Sequence, residues 1–197
     1  MKYLKYMFLF VCTYGIAQIQ TPQPSPLAKV EQEIGLTQVT IEYSRPAMRG
    51  RSIMGELVPM GELWRAGANK NSLITFSDAV KVGGIDLDAG TYSIFIRPGE
   101  SMWEVFFYTE IENSGLPAKW NPDSIAATVE VETKKLSESI ESFTIALENL
   151  NNNGATINFK WENTQASILL EVPTHIKTMA SIQETMKGNP KSGDYYN

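Results

Sequence analysis

Four arginines lie close together in a sequence that is otherwise acidic, and they carry the clearest chemistry in the chain. Arg45, Arg49, Arg51 and Arg65 fall within 21 positions, whereas the whole chain has a net charge of -5. A guanidinium is a planar fork of hydrogen-bond donors that matches carboxylates, phosphates and sugar hydroxyls. Trp64, beside Arg65, adds a flat apolar face. This grouping predicts a site for a small anionic or sugar-like ligand, formed by Arg45, Arg51, Trp64, Arg65 and Asn69.

The arginines occupy a segment of roughly 25 residues without periodicity, which is longer than ordinary connections between strands. Long ordered loops on a rigid scaffold are frequent binding regions. The same loop also fits a structural role, in which Trp64 packs on the scaffold and the arginines bond carbonyl groups. Glu56 and Glu62 are the nearest acids in sequence that could bridge the arginines. A bridge of that kind would favour the structural role.

Within "LWRAGANKN", several residues have a predicted structural role. Gly67 allows a turn where a Cβ would clash. Asn69 and Asn71 can tie the loop to itself through their amides. If the segment is extended, Trp64 and Arg65 point to opposite sides, so Trp64 anchors the loop and Arg65 points toward Arg45 or Arg51.

The sequence lacks the residues that most catalytic sites need. His175 is the only histidine and Cys12 the only cysteine, so neither a Ser-His-Asp site nor a two-histidine metal site is expected. No glycine-rich phosphate loop is present, because "GGIDLDAG" fits a hairpin. The 22 acidic residues leave open a pair of carboxylates that hydrolyses glycans. We expect no metal or cofactor, and the acidic balance argues against nucleic-acid binding.

The N-terminal residues predict export. Lys2 and Lys5 precede a short apolar run that ends at Ala17, a pattern typical of a cleaved signal peptide. Val11 precedes Cys12 where a lipoprotein signal has a small residue, which argues against lipidation. Removal of residues 1–17 leaves 15 basic and 22 acidic residues, or a charge of -7. The mature chain is expected in the periplasm or outside the cell, without disulfides and without a transmembrane segment.

The remainder predicts an all-β fold, an antiparallel β-sandwich of jelly-roll-like or barrel-like form with one short C-terminal helix. Apolar and polar residues alternate in about eight runs, which include "QVTIEYS", "TVEVET" and "TINFKWE". "TYSIFIR" and "WEVFFYT" are apolar on both faces and flank Pro98-Gly99, so they predict central strands. Asn153-Gly154 predicts a hairpin, after which Ile157, Phe159 and Trp161 should face the core.

After Pro173, apolar residues recur at helical spacing, from Ile176 to Met186. Thr174 is the predicted cap of this helix and Gly188 its end. The expected organisation is therefore a signal peptide at 1–17, an extended lead-in at 18–27, a sandwich at 28–173, a helix at 174–188 and a tail at 189–197.

Two stretches of the sequence carry a family resemblance. They run "YSRPAMRGRSIMGELVPMGELWRAGANKNSLITFS" and "KVGGIDLDAGTYSIFIRPGESMWEVFFYT". They resemble the bacterial family named domain of unknown function 2911, over about residues 28–173. The resemblance implies a secreted β-sandwich with a signal peptide, and it implies no activity. Family members often continue into a helical segment that opens with "DYY", where this sequence ends, so the tail fits either a truncated form or a member without that segment. Lys70 stands where the family has Glu or Ala.

Three functions remain after this reasoning. The sequence favours an exported, non-catalytic binding domain. A glycan hydrolase that uses carboxylates and a structural or assembly module are the alternatives, and partner proteins are not indicated. Convergence of Arg45, Arg51, Trp64 and Arg65 on one cavity would favour binding.

Overall fold

The structure, a computed structural model, describes residues 21–188 and residue 193. It contains nine strands, one turn of 3-10 helix at Pro122–Ser124 and one α-helix. The strands are β1 Leu27–Ile34, β2 Thr37–Ser44, β3 Ala68–Phe76, β4 Val80–Val82, β5 Ile85–Leu87, β6 Gly90–Pro98, β7 Met102–Tyr108, β8 Ile125–Asn151 and β9 Gly154–Glu171, and the helix is α1 Thr174–Lys187. The predicted signal peptide and most of the predicted tail lie outside the described residues.

All the strand pairs are antiparallel, in the order β1-β2-β3-β6-β7-β8-β9-β4-β5. Strand β8 belongs to both halves of this order. Its first part pairs with β7 through Glu132, and from Thr133 onward it pairs with β9. The single sheet thus folds into an open sandwich, which confirms the predicted antiparallel all-β fold with one C-terminal helix.

The core lies between the two layers and contains the predicted inward faces. Ile157, Phe159 and Trp161 of β9 are buried, as the register required. Strands β6 and β7 are buried on both faces, as predicted from their composition. One face joins the main core, whereas Phe95 and Tyr108 on the other pack against Trp120.

Two details of the strands differ from the sequence prediction. Strand β1 was not predicted, although Ala28, Val30 and Ile34 alternate with exposed residues along it. "TVEVET" and "FTIALEN", two of the eight alternating runs that each predict a strand, are parts of the continuous β8. The interval between them shows register shifts around Ile140, because β8 bends there while it pairs with β9. The Gly83-Gly84 turn does form the expected hairpin, between β4 and β5.

Helix α1 ends before Gly188 as predicted, but the predicted cap is wrong. The N-cap residue is Pro173, and Thr174 is the first helical residue, with a buried hydroxyl that has no partner among the described residues. A side-chain ion pair holds the helix instead. Lys177 Nζ contacts both carboxylate oxygens of Asp78 at 2.7 Å and donates to the Leu36 carbonyl.

This ion pair should make part of the stability depend on pH. The hydrogen bond from Lys177 is the main cause that lowers the pKa of Asp78, and hydroxyls of Ser77 and Thr37 add to it. A lowered folded pKa means that the contribution is present above the unfolded value of about 4 and is lost as the pH falls through the folded value. We expect Asp78→Asn to cost stability at pH 7 and progressively less below about pH 4, as measured by urea unfolding across the pH range.

Asp86→Asn is the matched control for that measurement. Asp86 also pairs with a lysine, Lys81, but its side chain is 84% exposed. An exposed pair contributes little, so this variant should track the parent protein at every pH. A constant cost of Asp78→Asn between pH 7 and pH 2 would contradict the assigned linkage.

Candidate functional site

The arginine-rich loop, residues 45–67 between β2 and β3, is bonded to both layers of the sandwich. Its start pairs with β8, where the Phe143 amide donates to Pro46 and the Met48 amide donates to Glu141. Its end pairs with β6 through two backbone bonds between Trp64 and Ile96, of 2.7 and 2.8 Å. Backbone hydrogen bonds therefore hold the loop at both ends.

Trp64 fills the position expected of an anchor. Its indole stacks on Trp161 at a centroid distance of 5.6 Å and an interplanar angle of 22°. It also meets the ring of Phe143 edge-on at 4.8 Å. Trp64 remains only partly buried, so part of its surface faces outward.

Gly67 explains how the chain continues from this anchor into β3. A Cβ at this position would lie 2.8 Å from the Ser72 hydroxyl oxygen and 3.0 Å from the Ser44 carbonyl oxygen. Only glycine fits between these atoms without displacing them. The expected clash at Gly67 is present, and it fixes how closely the end of the loop approaches β2.

A cavity of about 360 Å³ opens between this loop and the sandwich. Its lining combines two arginines with indole and aliphatic side chains, and the described residues that form it include no acid. They are Ser25, Pro46, Arg51, Leu57, Val58, Leu63, Trp64, Arg65, Gly67, Ala68, Leu116 and Trp161. We call this space the arginine cavity. Its volume suits a ligand of one or two rings.

Arg65 is the least satisfied polar residue of the arginine cavity. Its Nε is buried without an acceptor among the described residues, and its guanidinium forms no ion pair with them. The guanidinium lies beside Gly115, because Nη1 is 3.3 Å from the point that a Gly115 Cβ would occupy. Trp64 and Arg65 contact different groups, but both line the arginine cavity instead of lying on opposite sides; of the two arginines that Arg65 was predicted to approach, Arg51 lines this cavity and Arg45 does not.

Arg51 lines the same cavity, and some of the donors of its guanidinium are already hydrogen-bonded. Its Nε donates to the Met48 carbonyl at 2.9 Å, and its Nη2 donates to the Ala47 carbonyl at 2.7 Å. These bonds hold the side chain in place without neutralising its charge, since carbonyl groups are dipoles and not anions. Neither Glu56 nor Glu62 forms an ion pair with an arginine in the described part of the chain.

Two predicted site residues lie outside the arginine cavity. Arg45 donates to the Phe143 carbonyl and the Thr144 hydroxyl, which ties the loop to β8. Asn69 donates to the Ser25 carbonyl and the Ser44 hydroxyl, and it lines a separate cavity. Asn69 and Asn71 therefore bond other segments rather than their own loop, since Asn71 Oδ1 accepts from the Gly115 amide.

Sequence reasoning missed the residues that complete the cavity from a distance. Trp161 was predicted only as a core residue, yet its indole reaches the cavity wall. Leu116 comes from the connection between β7 and the 3-10 helix. Glu162 was not singled out, but its carboxylate accepts from the Met54 amide at 3.2 Å and supports the loop. Alternation along β9 shows which side Trp161 faces, but nothing local shows that a loop 97 positions earlier meets it.

Within residues 21–188, no group of three or more potential ligand residues is placed to hold a metal ion. His175 is exposed at the start of α1. The part of the chain with described structure holds no helix long and apolar enough to span a membrane.

Comparison with known proteins supplies the family. A family model described as a protein of unknown function (DUF2911) matches residues 25–170. The chain belongs to the DUF2911 family. No curated protein and no solved structure matches this DUF2911 protein. The matched range includes the loop, the arginine cavity and nearly all of the sandwich, and it ends before α1.

Proposed function

We propose that this DUF2911 protein is an exported, non-catalytic binding domain that holds a small anionic ring compound in the arginine cavity. The observation that supports this function best is the pair of guanidinium groups, Arg51 and Arg65, that line one cavity without an ion-pair partner among the described residues.

The charge of the cavity supports an anion as its ligand. Two permanent positive charges face one space in a protein whose net charge is -5. Like charges in a partly enclosed space repel each other, and an anion between them would reverse that cost. The donors of Arg65, which have no acceptor within the described part of the chain, would form charge-assisted hydrogen bonds with a carboxylate or a phosphate.

The apolar part of the lining supports a ring. Trp64 is partly buried and presents indole surface, with the buried Trp161 stacked behind it. Leu57, Leu63 and Leu116 add aliphatic surface around the arginines. Apolar walls with a few charged groups are typical of small-molecule sites, because burial provides affinity and the charges orient the ligand. A ring compound with a carboxylate, such as a uronic acid or an aromatic acid, has both features.

The lining also bears on the alternatives. Hydrolysis of a glycan by carboxylates needs two acids flanking the bond, and the arginine cavity has none among its described lining residues. A loop that only packs as scaffold would leave Arg65 with an unpaired buried donor, which costs about 1–3 kcal/mol. Export remains a proposal from the sequence, since it rests on Lys2, Lys5 and the apolar run to Ala17.

The test is thermal unfolding with glucuronate, benzoate and inorganic phosphate as probes. We expect at least one probe to stabilise the parent protein, by about 2.7 kcal/mol at a concentration 100 times its Kd. Arg65→Ala should melt close to the parent temperature and lose this stabilisation. Trp64→Ala should lower the stability by about 3 kcal/mol, because Trp64 packs on the core.

Arg49→Ala is the matched control, because Arg49 belongs to the same loop but does not line the cavity. Its response to the probes should equal that of the parent. The binding function is wrong if no probe stabilises the parent and Arg65→Ala melts as low as Trp64→Ala. That result would make the loop a scaffold.

A further inference from the structure

A second cavity, of about 430 Å³, lies beside the first residues of β3, which separate it from the arginine cavity. Gly67 and Ala68 line the arginine cavity, whereas Asn69, Lys70 and Asn71 line this one. Its opposite wall is the stretch 111–114 after β7. We call it the amide cavity, because asparagines from both walls face it.

Asn71 is the feature of this cavity that ordinary packing does not explain. The residue is 5% exposed. Its Oδ1 accepts from the Gly115 amide at 2.9 Å, which fixes the orientation of the side-chain amide. Its Nδ2 is buried and has no acceptor among the described residues. Buried donors are nearly always satisfied, so this one lacks an acceptor that a bound ligand could supply.

The remaining polar groups differ in kind from those of the arginine cavity. Glu42 and Glu112 supply acceptors, Lys70 supplies donors and Asn113 supplies both, whereas Asn69 supplies only its acceptor oxygen because its amide nitrogen donates to Ser25 and Ser44. The carboxylates disfavour an anionic ligand, and the ammonium of Lys70 disfavours a cationic one. A hydroxyl group both donates and accepts, so it suits such a mixed lining better than a purely accepting group.

We propose that the amide cavity is a second binding site, for a neutral sugar unit. Asn71 Nδ2 donates to one hydroxyl oxygen of the sugar, and the carboxylate of Glu42 accepts from another hydroxyl. Leu73 and Ile111, both partly buried, supply apolar surface for the C–H groups of the ring. This site does not depend on the function proposed for the arginine cavity, because the two linings share no residue.

Isothermal titration with glucose, galactose and N-acetylglucosamine tests this proposal. We expect the parent protein to bind at least one of them, and Arg65→Ala to bind it equally well. Asn71→Ala and Glu42→Ala should each weaken binding about tenfold, which corresponds to the loss of one hydrogen bond of about 1.4 kcal/mol. Glu33→Ala is the control, because Glu33 is an exposed acid on the neighbouring strand β1 and lies outside the cavity.

Glu42 is exposed and forms no side-chain bond with the described residues, so Glu42→Ala decides the test if Asn71→Ala does not fold. The proposal is overturned if none of the three sugars binds, or if Glu42→Ala and Asn71→Ala bind as the parent does. It is also overturned if binding disappears in Arg65→Ala, because the sugar would then occupy the arginine cavity. Failure of the anionic probes alone would reject only the function proposed above.

Discussion

Replacing Trp161 with alanine is expected to lower the free energy of unfolding by about 3–5 kcal/mol. The side chain is 1% exposed and lies between Phe143 and Trp64. Its Nε1 donates to the Glu141 carbonyl at 3.2 Å. The substitution therefore opens a void in the core, removes the support beneath the loop anchor and removes one of the two hydrogen bonds that the Glu141 carbonyl accepts, since the Met48 amide still donates to it. Equilibrium unfolding in urea measures this loss.

Leu169→Ala is the control on the same strand. Leu169 is 54% exposed, because the buried positions of β9 change from odd to even numbers after Glu162, whose φ is 52°. Its loss should therefore cost less than about 1 kcal/mol. A cost for Trp161→Ala as small as that of Leu169→Ala would show the register of β9 to be wrong, because a slip of one residue exchanges the two faces.

The second large effect is expected at Gly154, the first residue of β9. A Cβ there would overlap the carbonyl oxygen of Leu170, and it would also lie 3.4 Å from the Glu171 Cα. Both neighbours are backbone atoms, so they cannot turn aside as a flexible side chain can. Gly154→Ala should therefore destabilise the protein by about 3 kcal/mol or more, at the upper end of the cost of overpacking, as measured by urea unfolding.

Gly188→Ala separates this steric effect from the general effect of replacing a glycine. A Cβ at Gly188 would meet only the Thr185 carbonyl oxygen, at 3.4 Å, and the φ angle is -79°. This variant should change the stability by less than about 0.5 kcal/mol. Equal losses in the two variants would mean that the close approach of Gly154 to Leu170 is not present.

The fold could be predicted from the sequence largely because burial follows the alternation of side chains. The period of two along a strand was enough to assign three residues of β9 to the core, namely Ile157, Phe159 and Trp161. The hairpin before β9 was also predicted, from the pair Asn153-Gly154, but that pair does not form the turn. Its loop is Asn152-Asn153, and Gly154 lies in the strand, where it makes room for Leu170 instead of forming the turn.

The site could be predicted only in part, because its members come from distant segments. Trp64, Arg65 and Arg51 were found through residue type and proximity in one loop. Leu116 was not, and Asn71 was predicted only to bond within its own loop, because both roles depend on where the β7 connection crosses the start of β3. Arg45 has the same chemistry as Arg51, and only the position of the Phe143 carbonyl decides that its donors are used for packing.

The continuous course of β8 through both layers affects how the arginine cavity would respond to a ligand. Trp64 is bonded to β6 in one layer, and Trp161 belongs to β9 in the other. Since one strand is shared by both layers, they cannot slide apart without bending β8. The stacked indoles of Trp64 and Trp161, which form one wall of the cavity, are thus held in place before any ligand arrives. Such preorganisation reduces the entropy lost on binding. Association is also faster, because it does not require a slow rearrangement of the protein.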